Sequence, residues 1–147
     1  MSAAELELIP KPRTGGRVQL AINVSDLQRA VEFYSKLLGT GPAKVREGYA
    51  NFAVEEPPLK LVLIEGEHGG TLNHLGIEVA GTEEVTRATQ RFSDEGLETR
   101  VEEQTACCYA VQDKVWVQDP DGAPWEVYTV LADAPTMSKE AEGERCC

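Results

Sequence analysis

No run of about 18 apolar residues occurs anywhere in the 147-residue sequence, so no membrane-crossing helix is expected. Nor does the N-terminal stretch MSAAELELIPKPRTGG place an apolar segment after a basic one, and a signal peptide is not expected either. Basic residues are few: 14 Lys and Arg stand against 25 Asp and Glu, a net charge of −11. That balance argues against nucleic acid or an anionic membrane as partner, and its plainest use is solubility. Cysteine is also scarce. The four present form two adjacent pairs, Cys107-Cys108 and Cys146-Cys147. Without an export signal, two such pairs do not make a disulfide framework, and free thiols in a reducing cytoplasm are the expectation.

What is present is enough Val, Ile and Leu for the core of one domain, and an internal repeat. QLAINV, beginning at Gln19, matches HLGIEV, beginning at His74, position for position. Both alternate apolar and other residues, the strand signature. A helical stretch follows each. In SDLQRAVEFYSKLLG the apolar set is Leu27, Ala30, Val31, Tyr34, Leu37 and Leu38, with Ser25 and Gln28 as a capping box and Gly39 as the stop. In TEEVTRATQRFSDEG the set is Val85, Ala88, Thr89 and Phe92, with the stop at Gly96.

Each half closes with strands: GYANFAV and LKLVLIEG flank Pro57-Pro58, and KVWVQ and WEVYTVLA flank DPDGAP. Matching Pro58 with Pro124 sets Lys60 against Glu126. On that match the second half has gained about nine residues between its helix and its last strand, in the segment holding Cys107 and Cys108. An inserted loop is expected there, where function is commonly added. The domain plan is therefore a flexible lead-in over 1–16 and a single domain over 17–133. The domain holds two βαβββ modules, at about 17–66 and 72–133, and a disordered acidic tail over 134–147 ends in Cys-Cys.

Paired βαβββ units with metal-ligand residue types at matched strand positions resemble the glyoxalase, bleomycin-resistance and extradiol dioxygenase superfamily, also called vicinal oxygen chelate. The resemblance covers roughly residues 17–132. Within it, RVQLAINVSDLQRAVEFYSKLLG, NHLGIEV and CCYAVQDKVWVQDPDGAPWEVYTVLAD are similar to the carbon–arsenic lyases of trivalent organoarsenicals, with the cadmium-induced proteins as near relatives. The resemblance implies an α+β fold in which the two modules form a half-barrel around a divalent metal. The implied ligands are Gln19, His74 and Glu126, with Lys60 at the fourth position, where a protonated amine cannot ligate.

For the metal the resemblance implies iron(II), another divalent ion being admissible. The small-molecule partners are then a trivalent organoarsenical and O2, with no nucleic acid or membrane partner and a homodimer allowed. The reaction implied is oxygen-dependent cleavage of the carbon–arsenic bond, methylarsenite giving arsenite and formaldehyde, by a cytoplasmic non-haem iron enzyme. Cys107 and Cys108 would hold trivalent arsenic, because two thiolates fill two of its three valences and leave the carbon group as the third. Thiolates are the binding form, and nearby Lys114 would favour them. Cys146 and Cys147 repeat the dithiol as an accessory pair. Three bland readings of Cys107-Cys108 are buried small hydrophobes, a vicinal disulfide and coincidence. A functional alternative is sequestration of cadmium or arsenic without turnover, since soft thiolates bind both.

Overall fold

The computed structural model describes residues 16–136. The first module runs β1 (Arg17–Val24), α1 (Leu27–Leu38), β2 (Lys44–Arg46), β3 (Tyr49–Val54) and β4 (Leu59–Glu65). The second runs β5 (Thr71–Glu78), α2 (Thr82–Asp94), β6 (Arg100–Cys107), β7 (Ala110–Gln118) and β8 (Pro124–Asp133). All eight strands join one mixed sheet in the order β2-β3-β4-β1-β5-β8-β7-β6. The modules meet where β1 and β5 pair antiparallel, and each first strand pairs parallel with its own module's last strand. The sheet makes the half-barrel of an α+β fold. Neither helix is long and apolar enough to cross a membrane.

The period of two along each strand divides the sheet into two faces with different jobs. Leu20, Ile22, Phe52, Leu61 and Leu63 face α1 and pack with its Leu27, Ala30, Val31, Tyr34 and Leu38. Val115, Val127 and Ile77 do the same against Val85, Ala88 and Phe92 of α2. Residues of the other parity, among them Gln19, Lys60, His74, Lys114 and Glu126, turn to the inner face. Leu37 departs from the expected apolar set and is 63% exposed. At about 100° per residue, Leu38 falls near the middle of the stripe set by Leu27, Val31 and Tyr34, while Leu37 falls beyond its edge.

Two local expectations also change. The N-cap of α1 is Asp26, whose carboxylate accepts from the Arg29 amide at 3.1 Å, and not Ser25. Both residue types cap well, and the helix begins one residue later than the capping box implied. The larger change concerns Cys107 and Cys108. No irregular loop carries them. Cys107 ends β6, and Cys108 and Tyr109 form the two-residue turn into β7, with Cys107 opposite Ala110.

The added residues of the second module lengthen the two arms of a hairpin whose counterpart in the first module is short β2–β3, turning at Glu47-Gly48. A two-residue turn of this kind needs positive φ at both central positions. Cys108 and Tyr109 adopt 50° and 59° without being glycine. Each such residue costs about 1–2 kcal/mol, which local sequence reading assigns to a loop with better reason than to a tight turn.

The long hairpin bends its tip over the inner face onto the first module. Cys107 and Cys108 pack with Ala21, Tyr49 and Val62. The Tyr109 hydroxyl donates to the Glu47 carbonyl at 3.0 Å, and the Lys44 ammonium donates to the Tyr109 carbonyl at 3.0 Å and pairs with Asp133 at 2.7 Å. The tips of the two hairpins thus close over one end of the half-barrel.

Candidate metal centre and dithiol cavity

Register decides which side chains meet. Gln19 of β1 stands opposite Gly76 of β5, and Gly76 in turn opposite Glu126 of β8. Gly76 matters by having no side chain. A Cβ there would lie 2.9 Å from Gln19 Nε2 and 2.9 Å from Glu126 Cγ, so only glycine lets the two reach across it. His74, two residues before Gly76, shares its face.

The result is a tight cluster: Gln19 Nε2 donates to Glu126 Oε2 at 2.7 Å. His74 Nε2 lies 2.8 Å from the same oxygen and 3.2 Å from the Gln19 amide nitrogen. All three residues are buried. Asn73 Oδ1, 2.8 Å from His74 Nδ1, fixes the ring so that Nε2 faces the carboxylate. The edge of Trp116 packs against the same ring.

This set fits a divalent ion. Ligands at neighbouring positions of an octahedral ion with bonds of about 2.1 Å lie about 3.0 Å apart, and the separations among His74 Nε2, Glu126 Oε2 and the amide end of Gln19 bracket that value. The ion would replace the proton that His74 Nε2 and Glu126 Oε2 share. Gln19 would have to turn its amide, because its Oε1 now accepts from the Tyr128 hydroxyl at 2.6 Å. The turn costs no bond on that side, since a hydroxyl can accept from the amide nitrogen. No group of three or more His, Cys, Asp or Glu side chains suited to a metal occurs among the described residues, so the amide completes this set. Lys60, directly opposite Gln19, contributes no donor atom to the cluster.

Lys114, expected beside the cysteines, meets the cluster itself. It is 1% exposed, and its ammonium lies 2.8 Å from Glu126 Oε1 and 5.4 Å from the centre of the Trp116 ring. Its position on the inner face of β7 points it at the carboxylate, and Glu126 claims its charge. Burial pushes the Glu126 carboxyl up, but the Lys114 ammonium and His74 outweigh it and hold the group down at about 2.

A folded value near 2 lies below the ordinary 4.5, so the native state binds the proton less readily than the unfolded chain. This group's contribution is complete above pH 4.5 and is lost as pH falls towards 2. Urea unfolding of the metal-free protein between pH 6 and 3 checks this. Glu126→Gln is expected to flatten the acid limb relative to the parent protein.

The cavity beside the cluster has a volume of about 190 Å³, and Gln19, Tyr49, Lys60, Cys108, Glu126 and Tyr128 are among its lining. Cys108 and two members of the cluster therefore share one space, while Cys107 and His74 sit fully buried behind it. The two phenols of the wall stay protonated at neutral pH. Burial, offset in part by the Asn51 hydrogen bond, raises the Tyr49 phenol to about 12, and burial raises that of Tyr128 well above its usual range. Both cysteines are disulfide-bonded, against the expected free thiols. Composition speaks to the cell compartment and not to which sulfurs folding brings within bonding range. Cys146 and Cys147 lie outside the described residues.

Local sequence reasoning missed Tyr128, Gly76 and Asn73. The first two stand two residues beyond Glu126 and His74 on the same strand face, a signal that period-two reading could have used.

The chain is similar to known proteins along most of its length. The sequence is 60% identical over 133 residues to a trivalent organoarsenical cleaving enzyme of Thermomonospora curvata, covering 89% of this chain and 87% of the relative. It is 51% identical over 140 residues to the cadmium-induced protein CadI of Mycobacterium tuberculosis, covering 89% and 92%. Among solved structures, an extradiol ring-cleaving dioxygenase from B. fuscum shares the fold with a TM-score of 0.61 at 23% identity. That match covers 85% of this chain and 35% of the dioxygenase. Residues 16–127 match the family model, and this chain belongs to the Glyoxalase/Bleomycin resistance protein/Dioxygenase superfamily.

Proposed function

We propose that this protein cleaves the carbon–arsenic bond of trivalent organoarsenicals, using iron(II) and O2. The observation that carries the reading is the single cavity shared by Cys108, Gln19 and Glu126. The 60% identity to an organoarsenical cleaving enzyme supports it. For methylarsenite, CH3As(OH)2 and O2 give HCHO and As(OH)3, a change in which atoms and electrons balance without a separate reductant.

In this reading Cys107 and Cys108 must first be reduced, which calls for a reducing compartment such as the cytoplasm. The two thiolates then bind arsenic twice and fix the direction of its carbon bond, so that reaction begins from an oriented substrate. Their strained turn, tied to the first module through Tyr109 and Lys44, holds that direction over the cavity. His74, Glu126 and the turned amide of Gln19 would hold the iron, which supplies the activation of dioxygen. Asn73 keeps the imidazole aimed, and Lys114 fixes the free oxygen of Glu126 so that the other oxygen faces the site. The protonated tyrosines at the wall offer hydrogen bonds without adding negative charge.

Methylarsenite added to reduced, iron-loaded protein under nitrogen should bind one to one and release no arsenite until air is admitted. Arsenite release at the same rate without oxygen would overturn the oxygen-dependent reaction. Binding with no release under either gas would favour sequestration, the reading that the similarity to CadI otherwise supports.

A further inference from the structure

Lys60 occupies the strand position that matches Glu126 in the repeat, yet it is a cation. It lines the same cavity as Cys108, and its side chain is 12% exposed. Buried cations are expected to have a matched anion. The other two charged residues of the cavity wall have one: Glu126 is met by Lys114 at 2.8 Å, and Lys44 by Asp133 at 2.7 Å.

Lys60 must share Glu78 with Arg17. Arg17 Nε holds one oxygen of Glu78 at 3.0 Å, and the Lys60 ammonium reaches the other only at 3.4 Å. Arg17 has a further carboxylate, Glu55, at 3.7 Å. Among the described residues that long contact is the only hydrogen bond of Lys60, and two of its three N–H groups have no acceptor within that set. Burial lowers its proton affinity against the upward pull of Glu78. The wall thus carries one cation more closely matched to a visiting anion than to its own neighbours. There is room for an aryl ring, because a cavity of about 150 Å³ suffices for benzene and this one measures about 190 Å³.

We propose that Lys60 makes the cavity selective for organoarsenicals whose organic group carries an anionic substituent, a carboxylate in the simplest case. The arsenic is held by the cysteine pair, so the proposal rests on the organoarsenical reading of the site. The substituent accepts from the Lys60 ammonium and completes the coordination that Glu78 leaves open. Lys60 is a specificity-determining residue in this account, and it forms or breaks no bond in the reaction.

Three trivalent arylarsenicals test it: phenyl, 4-carboxyphenyl and 4-(trimethylammonio)phenyl. Each is titrated calorimetrically under nitrogen into protein reduced with a phosphine, where no turnover occurs. The carboxylate is expected to bind the parent protein roughly tenfold to a hundredfold more tightly than the phenyl compound, the range of a charged hydrogen bond. The trimethylammonium compound should bind more weakly than either. Lys60→Met should abolish the preference, and Lys60→Arg should retain most of it.

Equal affinities of the three compounds for the parent protein would overturn the role of Lys60 without touching the organoarsenical reading. A preference that survives in Lys60→Met would do the same. If none of the three binds, the organoarsenical reading falls and the proposal with it. The comparison on the parent protein decides the matter even if Lys60→Met does not fold.

Discussion

Glu126→Ala is expected to destroy metal retention and to destabilise the metal-free protein by about 3–5 kcal/mol, the cost of stripping a buried ion pair of one partner. Glu126 is 2% exposed and gathers Gln19, His74 and Lys114 around its two oxygens. Without it the ammonium of Lys114, 1% exposed, loses the carboxylate that lies 2.8 Å away. Loss of the metal and loss of stability are separable. The double variant Glu126→Gln, Lys114→Met removes both charges together and should recover most of the stability, since an uncharged pair of similar volume avoids the desolvation cost. It should still fail to hold iron.

His74→Ala removes another of only three donors and should also lose the metal, with a smaller effect on the metal-free fold. Gln19→His should keep the ion, because imidazole is a competent donor at that position. Iron stoichiometry after gel filtration and urea midpoints in chelator read the two effects independently. Full iron content in Glu126→Ala or His74→Ala would show that the metal is held elsewhere.

Cys107→Ser and Cys108→Ser should each lower arsenite release by at least roughly 10²-fold while leaving iron content unchanged. The thiols act as a pair. Once one sulfur holds arsenic, the other binds intramolecularly, and such a second attachment is worth about 10²–10⁴ in affinity. Either serine leaves a single thiolate, a substrate free to rotate about one bond, and an As–C bond without a fixed direction. The cluster of Gln19, His74 and Glu126 makes no use of sulfur, so the metal should remain.

The double variant Cys146→Ser, Cys147→Ser is the control and should keep most of its rate at saturating substrate. Every variant is assayed after reduction, because the parent cysteines are disulfide-bonded. An inactive double variant beside a working Cys107→Ser would show that the internal pair is not the one that binds substrate.

The sequence by itself determined the repeat, the alternation that sends Gln19, His74 and Glu126 to one face, and the two helices with their apolar sides. Each of these depends on a period of 2 or 3.6, a property of the backbone that neighbouring residues carry within themselves. The spacing of QLAINV and HLGIEV was enough to pair the modules, because both strands belong to the same repeat position.

Only the tertiary structure decided how far apart inner-face side chains end up and what each one touches. The β1–β5 register sets Gly76 between Gln19 and Glu126, and Tyr128 holds the Gln19 oxygen away from the cluster. β7 aims Lys114 at Glu126, twelve residues further along the chain. The cysteine segment reads locally as a loop, yet it becomes a hairpin turn. Pairing along β6 and β7, together with packing of the tip on Ala21, Tyr49 and Val62, outweighs the backbone cost at Cys108 and Tyr109. Partners of a buried charge and the conformation of a turn depend on contacts between residues far apart in the chain. Those contacts exist only once the sheet has closed.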